Sequence, residues 1–595
     1  MNTPQNLAPE KKPSETKKTP TILKNIQQQP VTLSSKDGSR KIIVKIDTVD
    51  IDENTIRITG WSTGIRLPFC LATANEAIHC STETVTRPEV EDLFENNKTI
   101  DVHGYQITAK LDPSHVSTQL FLTFGFESQV YLYPLEFKLE DSKSYDLKNM
   151  KLSTSLNSKC HIDFCGAIPG KIGVMGGWCI AKPGVIVWLV DSQGNRKDIT
   201  TCLRFHRDDI EKAFKEEYST KTVFSGFVTN WVFPQAHGDS IALVEEHDGA
   251  FKVVALSTWT TISDDPVSYA KFCFQVPTPA QDFNYRLESW EGQAINSLIE
   301  EKNIAANAME TDPKIWDFGS LNTTEIEYSI VIPLYGRWDF VEHQLLEFSK
   351  DPVFQKKAEI IYVIDDPLLI TPFVNEAEAL YNLYQVPFKI IWGHRNRGFS
   401  GANNLGVRHS QGNYLILLNS DVFPTHAGWI QSLCHALINN KEYGIIGAKL
   451  LFPDDSLQHG GMTFLFSESW SVWLNKHPLA GLDPLIDSSL ELMEKPAVTG
   501  ACMAMSRANY VKLGGFDEGY LIGDFEDSDL CMKVRADGLK IGYLPSVVLT
   551  HLERQSFALL GDNSFRTLVV RYNAWRHSTR WAKEISALMK AFEIK

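Results

Sequence analysis

In Ile360-Ile361-Tyr362-Val363-Ile364-Asp365-Asp366-Pro367, five apolar residues run without a break into two carboxylates and a proline. A strand apolar on both faces needs cover on both, which is the situation of a parallel sheet between layers of helices. Its polar end then falls at the carboxyl edge of the sheet, where open α/β sheets bind ligands. The neighbouring sequence repeats this texture. Residues 328–334 read as a preceding strand and 338–348 as a helix; 376–384 read as the next helix. A third strand is expected over 388–392, a helix from 403–409 and a fourth strand over 414–418. Strands alternating with helical patterns predict an α/β domain.

Upstream the texture differs. From residue 41 to about 262, short alternating or β-branched runs are punctuated by Gly, Asn, Asp and Pro, the pattern of an all-β sandwich or barrel. Within it, Gly60-Trp61 recurs as Gly177-Trp178. The segment Arg87-Pro88-Glu89-Val90 through Phe94 recurs as Arg207-Asp208-Asp209-Ile210 through Phe214, and Gly104-Tyr105 recurs as Gly226-Phe227. The offsets are 117, 120 and 122 residues, a drift that loop insertions produce. This predicts two tandem modules of similar size, each with one short helix at the Arg…Phe segment.

Composition bounds the function. The chain has 595 residues and a formal charge of −15, which gives no chain-wide basic footprint for nucleic acid. No run of about 18 apolar residues predicts a membrane span. Residues 1–39 are polar and rich in Lys, Pro and Gln, so we expect a disordered leader rather than a secretory signal. Ten scattered cysteines without C-x-x-C pairs suit reduced thiols in a cytosolic protein better than disulfides or zinc.

Four constellations carry chemical promise. Asp365 and Asp366 end a buried strand, where a carboxylate can accept hydrogen bonds from a base or ribose; a ligand-free Asp-Asp-Pro turn is the alternative. Leu418-Asn419-Ser420-Asp421 places Asp421 at the sheet edge, where a carboxylate can hold Mg²⁺ or Mn²⁺. An Asn/Ser/Asp turn is the alternative there. Gly398-Phe399-Ser400-Gly401-Ala402-Asn403-Asn404-Leu405-Gly406, preceded by Arg395, offers small residues entering a helix, where backbone N–H groups approach a phosphate or sugar. Finally, Gly514-Gly515-Phe516-Asp517-Glu518 and Gly523-Asp524-Phe525-Glu526-Asp527-Ser528-Asp529-Leu530 bring six carboxylates among aromatic residues, a setting for a general base. His551 follows the apolar run Val547-Val548-Leu549; a structural histidine is the alternative to a ligand.

Taken in order, these elements resemble glycosyltransferase family 2, with a GT-A fold. The resemblance covers residues 326–555, and its most specific part runs from Val498-Thr499-Gly500-Ala501-Cys502 to His551. Gly398 to Gly406 with Asn419-Ser420-Asp421 resembles the rhamnosyl- and galactofuranosyl-transferase branch of polysaccharide assembly. The resemblance implies an inverting transfer from a nucleotide-sugar donor to a growing cell-surface glycan or lipid-linked glycan. Asp365 or Asp366 would contact the nucleotide, with Arg395, Gly398, Asn403 and Asn419 on the donor side. Asp421 and His551 would hold a divalent metal, Asp527 would be the catalytic base, and Glu526 and Asp529 would shape the acceptor side. Asn419 stands where the family's metal triplet often begins with an acid.

The expected organisation is therefore a leader (1–40), two all-β sandwich modules (41–150 and 151–282), a helical connector (283–325), a Rossmann-like GT-A domain (326–560) and a basic C-terminal helix (561–595). In that helix Arg566, Arg571, Arg576, Arg580, Lys583, Lys590 and Lys595 interleave with Trp575, Trp581 and Phe592. Docking on the catalytic domain and lying on an anionic membrane are both readings of it, the latter placing the protein peripherally at the inner membrane face. The rival functions are a glycan-binding or scaffolding protein with a degenerate transferase domain, and a nucleotidyltransferase.

Overall fold

The computed structural model describes residues 31–34, 41–52, 55–63, 69–72, 77–87, 90, 102–110, 121–126, 129–135, 157–199, 202–218, 224–231, 238–247, 250–276, 280–309, 312–321, 325–552 and 563–593. The expected leader lies outside them except for Val31–Ser34, which is not leader but a strand paired with residues 41–44. The chain divides into two compact units, Met1–Ile262 and Ser263–Lys595. That division falls before the helix Pro266–Cys273, some twenty residues ahead of the expected connector.

The first unit is rich in strands. Strands β1 (Lys41–Asp52), β2 (Thr55–Thr63) and β3 (Val102–Lys110) lie side by side in one sheet. Phe69–Ala72 and Phe121–Phe126 belong to a second. Ile42, Val44, Ile58 and Ile107 from the first sheet share a core with Leu71 and Leu122 from the second. Further on, β4 (Ser158–Ile168), β5 (Ile172–Ala181) and β6 (Gly226–Trp231) repeat the arrangement, with Met175 and Phe227 packed against Leu189 and Leu243 of another sheet.

The repeated residues occupy matching places. The β1–β2 register slips by one residue at Asp47, and the β4–β5 register slips at Asp163. A bulge of this kind leaves one residue unpaired and bends its strand. The two freed acids do the same thing: Asp47 pairs with Arg87 at 2.7 Å and Asp163 with Arg207 at 2.6 Å. Beside each bulge the facing residue is glycine. A Cβ on Gly60 would lie 2.1 Å from the Lys45 carbonyl oxygen, and one on Gly177 2.0 Å from that of His161. In the second copy, helix α1 (Asp208–Tyr218) lays Ile210 and Phe214 on Ile180 and Trp178. The Gly-Trp pair thus serves packing: the glycine admits the bulge and the tryptophan seats the helix. In the first copy Val90 is buried, while most of the helix expected over 87–94 lies outside the described residues.

The second unit is built on one large mixed sheet. Its strands are β7 (Lys314–Phe318), β8 (Tyr328–Leu334), β9 (Ala358–Ile364), β10 (Phe388–Trp392), β11 (Tyr414–Leu418), β12 (Val422–Pro424), β13 (Tyr443–Leu451), β14 (Cys502–Ser506) and β15 (Lys540–His551). The main path runs β7-β10-β9-β8-β11-β14-β13-β15-β12. The four strands read from sequence, β8 to β11, are mutually parallel. Alternate residues enter opposite cores: Ile330, Ile360, Tyr362 and Ile416 face one, while Val331, Ile361, Val363 and Leu415 face the other. Both faces are covered, which is why these strands are apolar throughout.

Helix α2 (Gly292–Met309) and the helices before it pack on the C-terminal helix α5 (Asn563–Glu593): the Tyr572 hydroxyl donates to Asn296 Oδ1 at 2.7 Å, and Arg571 donates to Asn284 Oδ1. The expected connector therefore belongs to this unit. Helix α3 (Gly398–Arg408) begins at Gly398 itself, five residues before the expected start; Gly398 makes the entry turn with φ of 69°. Among the described residues no helix is long and apolar enough to cross a membrane.

Candidate functional site

The predicted residues gather along the edge where β8, β9 and β11 end. Asp365 follows β9 directly and is buried; its Oδ1 accepts the Arg397 backbone N–H at 2.6 Å. Burial pushes this carboxyl up to about 8, against the Arg397 and Gly398 N–H groups that favour its charged form. Asp366 is used differently. Its Oδ1 caps the following turn by accepting Leu368 N–H at 2.9 Å, so of the two acids Asp365 is the one aimed at the glycine-rich helix start.

Arg395 donates to the Lys302 carbonyl of α2 at 2.8 Å. Asn403 is fully buried; its Nδ2 donates to the Phe399 carbonyl and its Oδ1 has no partner among the described residues. The neighbouring Asn404, to which the sequence assigns no role, is the bridge to the acid-rich loop. It donates to the Phe516 carbonyl and to Glu518 Oε1 at 2.8 Å, and accepts from the Tyr510 hydroxyl at 2.6 Å.

At the end of β11, the Asn419 N–H donates to the Ala501 carbonyl at 3.0 Å, while its own carbonyl accepts from Gln344. Asp421 and His551 meet because β12 pairs Val422 with His551 across the sheet. His551 Nε2 lies 3.2 Å from Asp421 Oδ1, and both side chains are largely buried. The other ring nitrogen, Nδ1, is 2.6 Å from Gln458 Oε1, and Gln458 Nε2 donates back to the His551 carbonyl. With the amide so oriented, Nδ1 donates to Gln458, and Nε2 is the ring nitrogen that faces Asp421. This is how outer partners orient metal-ligating histidines. One carboxylate oxygen and one imidazole nitrogen facing each other fit a divalent cation that takes its remaining ligands from phosphate and water. Gln458 has no recognisable signal of its own; it lies 93 residues from its partner.

Asp527 stands in the first turn of α4 (Glu526–Ala536). Its Oδ2 accepts the Gly500 N–H at 2.9 Å and its Oδ1 the Ser528 N–H at 2.7 Å. Glycine at 500 eases this approach, since a Cβ there would sit 3.2 Å from that of Asp527. Burial raises the Asp527 pKa and the two N–H groups oppose it. Burial, with the charges of Asp527 and Asp524, pushes Glu526 well above the usual carboxylate range. Two histidines stand on the same side: His459 Nδ1 is 3.0 Å from His477 Nδ1, and burial holds His459 neutral.

Asp529 is the second residue expected on the acceptor side. It is wholly buried and accepts from the Tyr520 hydroxyl at 3.1 Å and the Trp581 indole at 2.7 Å, with Arg580 at 3.1 Å. Those three contacts converge on Oδ1 and tie α4 to α5. Two arginines of α5 also reach into the protein. Arg576 lies 2.9 Å from Asp517, and Arg580 also pairs with it. Burial works against the Asp517 charge, but the two guanidiniums outweigh it and hold its carboxyl well below the usual range. These two arginines face the protein, as docking of α5 requires.

The Glycosyl transferase family 2 profile matches residues 329–488. That span includes Asp365, Arg395, Gly398, Asn403, Asn419 and Asp421, and ends before Asp527 and His551. The uncharacterized protein y4gI of Sinorhizobium fredii is 31% identical over 173 residues, covering 28% of this chain and 18% of that protein. The O-antigen biosynthesis protein RfbC of Myxococcus xanthus is 27% identical over 238 residues, covering 38% of this chain and 17% of that protein. The rhamnosyltransferase WbbL of Escherichia coli is 23% identical over 183 residues, covering 28% of this chain and 66% of that protein. The chain thus spans less than a fifth of the length of the first two relatives. The family match and the run of parallel strands together identify a GT-A glycosyltransferase fold in the C-terminal region.

Proposed function

We propose that this chain, which carries a glycosyltransferase family 2 domain over residues 329–488, transfers a sugar from a nucleotide-sugar donor to a growing cell-surface glycan with inversion at the anomeric carbon. The observation that carries this reading is the pairing of Asp421 with His551 on the sheet edge that also bears Asp365 and, through Gly500, Asp527. The name of RfbC, an O-antigen biosynthesis protein, supports the acceptor class.

Asp365 and the N–H groups opening α3 would receive the nucleotide, with Arg395, Asn403 and Asn419 lining the donor side. Asp421 and His551 would hold Mg²⁺ or Mn²⁺, which offsets charge developing on the leaving diphosphate. Asp527 takes the proton of the acceptor hydroxyl on a carboxylate oxygen as that hydroxyl oxygen bonds to the anomeric carbon and the bond to diphosphate breaks. Burial raises the pKa of Asp527, which makes it a stronger base for that step. Burial disfavours the charged form of Glu526 beside it. The two N-terminal portions read as tandem β-sandwich modules that position the acceptor, a reading supported by their matching bulges and Asp–Arg pairs. The expected site of action is the cytoplasm.

The test is nucleoside diphosphate release from a panel of UDP-, GDP- and dTDP-sugars, with and without Mn²⁺. Asp527→Asn should lower turnover by about 10²- to 10⁴-fold while leaving nucleotide binding in place. Full turnover in that variant would refute the assignment of the base.

A further inference from the structure

We propose that Asn573, on the C-terminal helix, is a positioning residue for Asp527, holding the left-handed turn that aims the start of α4. The inference rests on Asp527 being the base. Three non-glycine residues just before it have positive φ: Ile522 at 64°, Asp524 at 86° and Phe525 at 74°. L-residues avoid this region, β-branched isoleucine most of all, and such backbone persists only where its surroundings impose it. Three cases within four residues need a constraint from outside the turn.

Asn573 supplies it. Its side chain is wholly buried; Oδ1 accepts the Leu521 N–H at 3.0 Å, while Nδ2 donates to the Leu521 carbonyl at 3.0 Å and the Gly523 carbonyl at 2.8 Å. One amide thus fixes both ends of the segment preceding the left-handed pair Asp524 and Phe525. One and two helical turns further along the same face of α5, His577 Nε2 lies 3.2 Å from Ser528 Oγ and the Trp581 indole donates to Asp529. The residues gripped are 521, 523, 528 and 529, on both sides of Asp527. Asn573 has no hydrogen bond to Asp527 itself. The turn also borders the donor side, since a Cβ on Gly398 would lie 3.7 Å from the Ile522 carbonyl oxygen.

The test uses the full chain and the nucleotide-sugar that the panel selects. Asn573→Ala is expected to lower kcat about 10²-fold, the loss typical of a misplaced catalytic group, with binding of the nucleoside diphosphate and Mn²⁺ within about twofold of wild type. The Leu521 amide should lose its protection from hydrogen exchange. Because glycine adopts positive φ freely, Ile522→Gly in the Asn573→Ala background should restore part of kcat. Unchanged kcat in folded Asn573→Ala overturns the inference. So does a double variant that is no better than the single one, or failure of both to fold, which would make Asn573 a folding residue. Asp527→Asn measured in parallel separates the two claims: its full turnover removes the base, whereas its loss beside an active Asn573→Ala removes only the positioning role.

Discussion

Replacing Asp365 with asparagine should make the folded chain relatively more stable as pH rises, and the size of the effect follows from the burial of one carboxyl. Asp365 is pushed up to about 8 in the folded protein, against 3.8 when it is free. A raised acid contributes stability that is complete below the unfolded value and is lost as pH climbs through the folded one. At pH 6 the folded chain holds this proton and the unfolded chain does not; at pH 9 neither does. Two pH units below the folded value correspond to about 3 kcal/mol at 1.36 kcal/mol per unit. The substituted amide would still accept the Arg397 N–H but would not titrate. Relative to wild type, Asp365→Asn should therefore gain about 3 kcal/mol between pH 6 and pH 9. Urea unfolding of both proteins at the two pH values measures this. Trp392 is a local fluorescent reporter, because it pairs in register with Ile364. An equal stability difference at pH 6 and pH 9 would refute the claim that Asp365 is buried with a raised pKa.

Other outcomes follow from single contacts. Gln458→Ala removes the partner that orients the His551 ring, so Mn²⁺-dependent binding of a nucleoside diphosphate should weaken by about 10- to 100-fold in calorimetry. Asp517→Asn leaves the Arg576 guanidinium without its carboxylate, while Arg580 keeps Asp529, and should cost about 3 kcal/mol, read as a lower Tm. Since the Asp517 pKa is lowered, its contribution in wild type is present above the unfolded carboxylate value and should be lost on acidification below it. Gly177→Ala drives a Cβ into the His161 carbonyl and should destabilise the N-terminal unit by about 1–3 kcal/mol, with Mn²⁺-dependent nucleotide binding unchanged.

Much of the catalytic unit is legible in the chain because burial on both faces writes itself as unbroken apolar runs. Ile360–Ile364 and Leu415–Leu418 are examples, and the polar residues that end them, Asp365 and Asn419 to Asp421, lie at the sheet edge as read. Boundaries are less visible. Gly398 reads as loop, yet its positive φ lets the helix start there. The partners of Asp529 are not visible, because an acid among acids gives no sign of whether it faces solvent or an indole and a guanidinium some 50 residues away. The Gly-Trp repeat is visible, but its reason, a bulge whose freed acid binds an arginine, needs the register of paired strands.

Sequence alone therefore determined the periodicities and the order of the candidate carboxylates, since each is a local property of the chain. Tertiary structure decided which of those groups are free to act. It turned Asp366 into a cap, set Gln458 behind His551, tied Asp529 to the C-terminal helix and brought Asn573 to the turn before Asp527. Each of those outcomes depends on which polar partner a buried atom meets. A buried donor or acceptor must be satisfied wherever the fold brings one within reach, and distance along the chain carries no record of it.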